Sequence, residues 1–224
     1  MAAAKTRKSE RGRRPLVHRG VELRCGTEFE NEVLAQGFVL PAGVDEVGRG
    51  ALCGPVVAGA VILGPAFDAE GLDDSKRLTR RQRERLDQRI RQDARAWALG
   101  VASADEIDRV NVLRATHLAM RRAVEALEVA PDCLLVDALT IPGIALPQRP
   151  IVKGDALSVS IAAASVVAKV ARDGMMRECD ARHPGYGLAR NMGYGSASHR
   201  AALRRLGPSA IHRRSFQGTE RWLF

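Results

Sequence analysis

The stretch GVDEVGRG, residues 43–50, closes an apolar run with two adjacent carboxylates, Asp45 and Glu46, and continues directly into a glycine-flanked arginine, Arg49. Carboxylate oxygens are the ligands that Mg²⁺ and Mn²⁺ prefer. The main chain of a Gly-Arg-Gly turn can approach a phosphate or a sugar closely, because glycine has no side chain to block it. The stretch therefore predicts a strand that delivers metal ligands and a turn that contacts nucleic acid.

The length and charge of the chain indicate one folded domain with a basic start. The 224 residues are 46% hydrophobic, which is enough for one full core. The formal net charge is +9, and residues 1–26 contribute most of it, with eight basic and two acidic residues. We expect a disordered basic tail over 1–26 rather than an organellar transit peptide, because Glu10 and the lack of an apolar face oppose the latter.

The cysteines and the apolar stretches bear on the compartment. Cys25, Cys53, Cys133 and Cys179 are far apart and form no C-x-x-C pair, which argues against a zinc knuckle and a disulfide framework. Cys53 and Cys133 stand in apolar runs and are expected to be buried. The longest uncharged stretch, 51–67, is interrupted by Gly and Pro, so no membrane span is expected. We therefore expect a protein of the reducing cytoplasm.

Hydrophobic periodicity predicts strands and helices that alternate along the chain, which is typical of an α/β fold. The apolar run that ends at Asp45 is the first predicted strand, and the charge-free segment 55–63 should pair with it through the Gly-Arg-Gly turn. Strands are predicted over 37–44, 55–63, 96–103, 133–136 and 150–153, and helices over 28–36, after the cap Thr79, over 104–128, over 158–182 and over 198–206.

Two further acids stand at predicted strand ends. Asp137 follows the apolar segment 133–136, and Asp155 follows the brief strand 150–153. Because sites of open sheets gather at strand ends, we expect these acids to converge with Asp45 and Glu46. Four carboxylates suit two Mg²⁺ or Mn²⁺ ions, which together activate a water and stabilise a leaving oxygen in phosphodiester hydrolysis.

Each acid also has a structural interpretation. Asp155 could cap the following helix, although Ser158 is better placed for that role. Asp137 alone would more often be a turn residue. Successive strand residues point to opposite faces, so either the first strand ends at Asp45, or Glu46 contributes through its carbonyl or a water.

Taken together, these motifs resemble type 2 ribonuclease H (ribonuclease HII) of the bacterial kind. Each segment is weak alone, but their order and spacing cover residues 43–216. The matching segments are GVDEVGRG (43–50), DDSK (73–76), LLVDAL (134–139), VKGD (152–155), IAAASVVAKVARD (161–173), HPGYG (183–187), GYGS (193–196) and IHRRSF (211–216).

The resemblance implies an RNase H-like α/β fold: a central mixed sheet flanked by helices, with a small C-terminal helical extension. The catalytic domain would span 27–216, between the basic tail 1–26 and a C-terminal tail, 217–224. It implies cleavage of RNA in RNA-DNA hybrids, and incision 5′ to single ribonucleotides embedded in duplex DNA, leaving 5′-phosphate and 3′-hydroxyl ends.

The resemblance also assigns roles to single residues. The four catalytic and metal-binding carboxylates would be Asp45, Glu46, Asp137 and Asp155. Gly48, Arg49 and Gly50 would form the turn that senses the ribose 2′-hydroxyl, and Tyr194 would stack on the sugar of the next deoxynucleotide. A loop tyrosine can also be a packed anchor, and that role is assigned to Tyr186.

Phosphate contacts are less specified by the sequence. Lys76, Lys153 and Lys169 are candidates, each also interpretable as a surface or structural lysine. Met192 stands where the family usually has a lysine, and the basic tail could replace that phosphate contact or be a passive solubilising segment. His199 could assist near the acids or be a core residue.

We expect a monomer with no membrane partner, acting on RNA-DNA hybrid and on ribonucleotide-containing DNA. Two rivals are another metal nuclease of the same fold and a non-catalytic hybrid-binding protein. The second fits poorly, since all four acids are present.

Overall fold

The computed structural model describes residues 25–216. In this part of the chain five strands form one sheet: β1 (Pro41–Val47), β2 (Val56–Ile62), β3 (Ala96–Ala102), β4 (Cys133–Asp137) and β5 (Gln148–Ile151). The helices are α1 (Glu28–Ala35), α2 (Arg80–Asp93), α3 (Ala104–Val110), α4 (Val112–Glu125), α5 (Val159–Arg182), α6 (Leu188–Asn191) and α7 (Ala197–Leu206), and a short 3₁₀ turn, Gly154–Ala156, precedes α5.

The sheet is mixed, with the strand order β3-β2-β1-β4-β5. β1 pairs antiparallel with β2, and β2 with β3, whereas β1–β4 and β4–β5 are parallel. The predicted α/β class and central mixed sheet are confirmed. The predicted pairing of the first two strands is also confirmed, with Asp45 opposite Gly59.

Helices cover both faces of the sheet. The long helix α5 lies on one face, and α4 packs on the other, where its buried residues join those of β1 and β2. Gly43 and Gly59 permit the close approach of α5, because a Cβ at either position would overlap the main chain of Ser160 or Ala164. Small residues of α5 are buried, among them Ala162, Ala163, Ala164 and Ala168.

Three predicted elements had wrong boundaries, and one of them is β5, which spans Gln148–Ile151 rather than 150–153. The helix expected over 104–128 is two helices, broken at Asn111, which has a φ of 70°. The Asn111 side chain accepts a hydrogen bond from the Arg114 N–H (3.1 Å) and so caps the start of α4. The apolar stripe runs through the break, so periodicity alone did not reveal it. β1 begins at Pro41 rather than at Gly37, which has a φ of 97° after α1.

Residues 1–24 of the expected basic tail, 1–26, and the expected C-terminal tail, 217–224, lie outside the described part of the chain. Cys25 and Gly26 are described, and Gly26 exchanges main-chain hydrogen bonds with Leu157 and Val159 at 3.0 Å each. Cys53 and Cys133 are buried, as predicted. Among the helices within residues 25–216, none combines the length and the apolar character that crossing a membrane requires.

Candidate active site

Two of the predicted acids lie side by side at the carboxyl edge of the sheet. In the parallel pair β1–β4, Val44 is the register partner of Val136, so Asp45 and Asp137 are the next residues on the two strands. The adjacent positions share a face of the sheet. Asp45 is only 5% exposed, and its neighbours in the chain are fixed by the antiparallel pairing with β2. The register thus brings these two predicted acids next to each other.

The 3₁₀ turn brings Asp155 to the same edge. The main-chain N–H of Gly154 donates to Asp137 Oδ1 (2.7 Å), which joins the turn to the end of β4. Asp155 is buried in this turn, whereas Lys153 begins it with a φ of 60° and is exposed. Ser158 caps α5, since its side chain accepts from the Ile161 N–H. The capping interpretation of Asp155 is therefore wrong.

Glu46 lies on the other side of the strand. β1 does not end at Asp45 but continues to Val47. By strand alternation Asp45 shares the α5 face with Gly43, while Glu46 shares the α4 face with Val44. The Glu46 carboxylate accepts a hydrogen bond from Arg49 Nη1 through Oε1 (3.1 Å). Its Oε2 atom is buried and has no hydrogen-bond partner.

These carboxylates repel one another. Burial, then the charges of Glu46 and Asp137, raise the pKa of Asp45 well above its usual value, while a hydrogen bond from Ser165 opposes the shift. Burial also raises the pKa of Glu46 against the opposing effect of Arg49. The pKa of Asp137 is raised by burial and the charge of Asp155, although the Gly154 N–H lowers it. The raised pKa values mean that the charged forms of these three acids are disfavoured at this edge unless a cation balances them.

The arrangement fits a divalent cation. The ligand atoms on offer are all oxygens, which suits Mg²⁺ or Mn²⁺ rather than a soft metal. The unpartnered Oε2 of Glu46 is a buried acceptor that a cation could satisfy. Lys76 already supplies one cation, because its Nζ lies 2.8 Å from Asp155 Oδ2. Burial opposes protonation of this lysine, but the hydrogen bond and charge of Asp155 raise the pKa of Lys76 overall.

The Gly-Arg-Gly turn follows Glu46, and two buried arginines, Arg172 and Arg213, contact its inner side. Gly48 has a φ of 98°, and a side chain there would overlap the guanidinium of Arg172. The carbonyls of Gly48 and Arg49 each accept a hydrogen bond from Arg213 at 2.7 Å. A Cβ at Gly50 would meet nothing within 4 Å. The turn is thus rigidly supported on its inner side and open at Gly50.

Tyr194 is linked to this turn through the main chain. Ala51 forms an antiparallel bridge with Tyr194, and the Leu52 N–H donates to the Gly193 carbonyl (2.8 Å). The Tyr194 residue is 37% exposed, and the Arg172 guanidinium carbon lies 5.3 Å from its ring centroid. The chain therefore runs without interruption from Asp45 and Glu46 to Ala51 and Leu52, whose main-chain contacts position Tyr194.

The remaining predicted residues have other partners. Lys169 Nζ pairs with Asp173 (2.8 Å), so the structure gives it a structural contact. Met192 has a φ of 50° and packs partly buried beside Leu52 and Met176. The Tyr186 hydroxyl donates to the Gly207 carbonyl (2.7 Å), in line with the structural role expected for it. His199 is fully buried.

Two residues that sequence reasoning missed are Arg172 and Arg213, both with 0% exposure. Arg172 donates to the carbonyls of Pro55 (2.9 Å), Met192 (3.0 Å) and Cys53 (3.4 Å). Arg213 donates to Gly54 as well as to the turn. Both arginines stand within the quoted motifs, and a charged residue in the small-residue run of α5 was the available signal.

Comparisons with known proteins agree with this geometry. The sequence model of the family Ribonuclease HII matches residues 42–219. A protein named ribonuclease HII from Syntrophotalea carbinolica is 52% identical over 195 residues, covering 87% of this chain and 93% of the relative.

Solved structures have the same fold. The ribonuclease H2 of Pyrococcus horikoshii OT3 superposes with a TM-score of 0.68 at 26% identity, covering 82% of this chain and 96% of that one. The structure titled Bst-RNase HIII in complex with Mn²⁺ gives a TM-score of 0.64 at 19% identity, over 83% and 69% of the two chains, and shows the fold alone. The family match, the relative at 52% identity and the acids at the carboxyl edge of the sheet lead to one conclusion: the chain belongs to the ribonuclease HII family, the type 2 ribonucleases H, which are metal-dependent endonucleases.

Proposed function

We propose that this type 2 ribonuclease H hydrolyses the RNA strand of RNA-DNA hybrids and incises 5′ to a single ribonucleotide in duplex DNA, leaving 5′-phosphate and 3′-hydroxyl ends. One observation carries the proposal. Residues 45–51 run from the buried carboxylate of Asp45 to Ala51, whose bridge partner is Tyr194, so an acid site and an exposed aromatic ring are joined by one short segment.

The acids are the groups that would hold the cofactor. Asp45, Glu46, Asp137 and Asp155 offer oxygen ligands, and Glu46 Oε2 has no other partner. Two bound Mg²⁺ or Mn²⁺ ions would supply an activated water and stabilise the leaving 3′-oxygen. The protein contributes the fixed positions of the carboxylates, through the β1–β4 register and the Gly154 hydrogen bond.

The glycine turn and Tyr194 would recognise the substrate. The 2′-hydroxyl is the group that distinguishes a ribonucleotide from its DNA neighbours. Main-chain groups of Gly48, Arg49 and Gly50 can approach it, because the side open at Gly50 carries no side chain. The Tyr194 ring would stack on the sugar of the next deoxynucleotide. Lys153 is exposed and available for a phosphate, Lys76 is exposed but paired with Asp155, and Lys169 is engaged with Asp173.

We also propose the compartment, the assembly state and the domain bounds. Four free cysteines support a reducing compartment, the cytoplasm. We propose a monomer in which residues 27–216 form the catalytic domain with its C-terminal helical extension, between a basic tail at 1–26 and a short tail at 217–224.

The decisive experiment compares Asp45→Asn with wild-type protein on a DNA duplex containing one ribonucleotide, and on the same duplex without it, in Mg²⁺ or Mn²⁺. We expect the variant to lose roughly 10²-fold or more of the cleavage rate, since a metal-site ligand is removed. Asp93→Asn, an exposed acid at the end of α2, is the matched control and should cleave normally. Undiminished cleavage by Asp45→Asn would refute the proposal. Cleavage of the all-DNA duplex would favour another nuclease of this fold.

Tyr194→Ala tests the recognition half of the proposal. Loss of aromatic stacking should slow incision at a single ribonucleotide by about tenfold or more at substrate concentrations below KM. Tyr186→Phe removes only the hydroxyl contact to Gly207 and should keep the wild-type rate. If Tyr194→Ala retained the full rate, its role at the junction would be wrong.

A further inference from the structure

Two histidines lie buried directly behind Tyr194. His199 on α7 and His212 near the C-terminal end have 0% and 2% exposure, and their Nε2 atoms are 3.1 Å apart. Tyr186 packs against both rings, with centroid distances of 6.3 Å and 4.9 Å. The acid site and its neighbouring turn use neither ring, so the pair needs its own explanation.

The hydrogen bonds at the outer ends fix the tautomer of each ring. The Tyr194 carbonyl can only accept, so His199 Nδ1, 2.9 Å away, carries a proton and its Nε2 is an acceptor. The main-chain N–H of Ser209 can only donate, so His212 Nδ1, 2.9 Å away, is an acceptor and its Nε2 carries the proton. The two independent assignments agree where the rings meet: His212 Nε2–H donates to His199 Nε2.

The pair therefore forms one directional chain, from Ser209 through both rings to Tyr194. A second proton on His199 would place its Nε2–H against the Nε2–H of His212, so that two donors face each other. A second proton on His212 would likewise place its Nδ1–H against the N–H of Ser209. The surroundings also disfavour a positive charge. Burial, and for His212 the nearby His199 and His183, lower the pKa of both rings, that of His212 to about 4, and Arg200 acts in the same direction on His199.

A metal site is the competing interpretation of this cluster, because the ligand atoms of Cys53, His199 and His212 lie within 4.8 Å of one another. The hydrogen bonds oppose it, since the lone pair of His212 points to Ser209 and its Nε2 bears a proton. Burial raises the pKa of the Cys53 thiol to about 12, against the opposing effect of two nearby buried cations, Arg172 and Arg213. A divalent ion would add charge beside them.

We propose that His199 and His212 are positioning residues for recognition of the ribonucleotide junction: their neutral, tautomer-locked chain holds the main chain of Tyr194 and hence the placement of its ring. This inference rests on the proposed role of Tyr194. The Tyr194 carbonyl also accepts from the Ser196 N–H (2.8 Å), and the Tyr194 N–H donates to the Asn191 carbonyl (2.9 Å), so His199 supplies the side-chain contact among these three, and His212 links it to Ser209.

The first test measures the tautomers in the wild-type protein without substrate. Long-range ¹H–¹⁵N correlation spectra at pH 7 should show a proton on Nδ1 of His199 and on Nε2 of His212. Any other pair of tautomers, or a charged ring, would overturn the inference. One equivalent of Zn²⁺ should leave these signals unchanged, and a stoichiometric shift of both rings would establish a metal site instead.

The second test measures kcat and KM on a duplex with one ribonucleotide. His199→Leu should raise KM about tenfold with little change in kcat, the same change that we expect for Tyr194→Ala, and the double variant should lose no more than either single one. His199→Asn keeps an N–H donor for the Tyr194 carbonyl and should stay within about threefold of the wild-type KM.

Tyr186→Phe controls for a general loss of stability, because it removes the hydroxyl contact to Gly207 and should lower the melting temperature while leaving KM unchanged. Equal KM values for His199→Leu and His199→Asn would overturn the inference. If Tyr194→Ala itself has the wild-type KM, the proposed role of Tyr194 fails, while the tautomer measurement still reports separately on the chain.

Discussion

The acid edge of the sheet (Asp45, Glu46, Asp137 and Asp155) and the arginine support beneath the turn (Arg172 and Arg213) are both built from buried charges, but they are balanced differently. At the acid edge burial and like charges raise the pKa values of Asp45 and Asp137. In the arginine support each guanidinium donates to several main-chain carbonyls. The support therefore completes the fold by itself, whereas the acid edge is left incomplete until a cation binds.

Removing one support arginine should produce the largest change in stability. Arg213→Met would leave the carbonyls of Gly48, Arg49 and Gly54 without their shared donor. Buried carbonyls that lose their donors destabilise a fold, so we expect the free energy of unfolding to fall by about 3–5 kcal/mol. Urea unfolding followed by circular dichroism measures this.

The neighbouring Arg214→Met provides a matched control, since Arg214 is exposed. It should change the free energy of unfolding by no more than about 0.5 kcal/mol. A loss below about 1 kcal/mol for Arg213→Met would mean that the turn does not depend on this support.

Removing one charge from the acid edge should raise the free energy of unfolding, the opposite of the effect of removing a support arginine. Without metal, Asp45→Asn should raise the free energy of unfolding by about 1 kcal/mol, because a repelled, buried carboxylate is replaced by a neutral group of the same shape. The raised pKa means that folded wild-type protein binds this proton more tightly than unfolded protein does. Its stability should therefore fall as pH rises from the unfolded pKa of Asp, 3.8, through the raised folded value, and this dependence should weaken in the variant.

Urea unfolding in EDTA across this pH range, with Asp93→Asn as the control, measures the effect. Addition of Mn²⁺ should reverse the order and stabilise wild-type protein more than the variant. A metal-free Asp45→Asn protein that is less stable than wild type would show that the acid edge is already balanced.

The two regions also differ in how far the sequence predicts them. The acids were predictable because each follows a local apolar run, and the caps Thr79 and Ser158 act within three residues of their helices. The arginine support joins residues more than 100 positions apart, such as Arg213 and Gly48, which no local pattern encodes. The break at Asn111 was missed because a φ of 70° leaves the apolar stripe intact. Local chemistry could be predicted, whereas contacts made by the folded chain could not.

Lys76 partly balances the acid edge, and its removal should have the smallest effect on stability. Its side chain is 77% exposed although Nζ lies 2.8 Å from Asp155, and an exposed ion pair contributes at most about 1 kcal/mol. Its charge competes with a cation for the same carboxylate. Lys76→Met should therefore tighten Mn²⁺ binding in the absence of DNA by roughly two- to fivefold, and less at high salt.

Titration calorimetry or Mn²⁺ electron paramagnetic resonance measures this affinity. Lys153→Met, an exposed lysine that begins the same turn, is the matched control and should change Mn²⁺ affinity less. Weaker Mn²⁺ binding by Lys76→Met would contradict the competition, because it would mean that the lysine organises Asp155 for the metal rather than occupying its place. A raised KM for DNA together with tighter Mn²⁺ binding would assign Lys76 both roles: an occupant of the acid edge before substrate binds, and a phosphate contact afterwards.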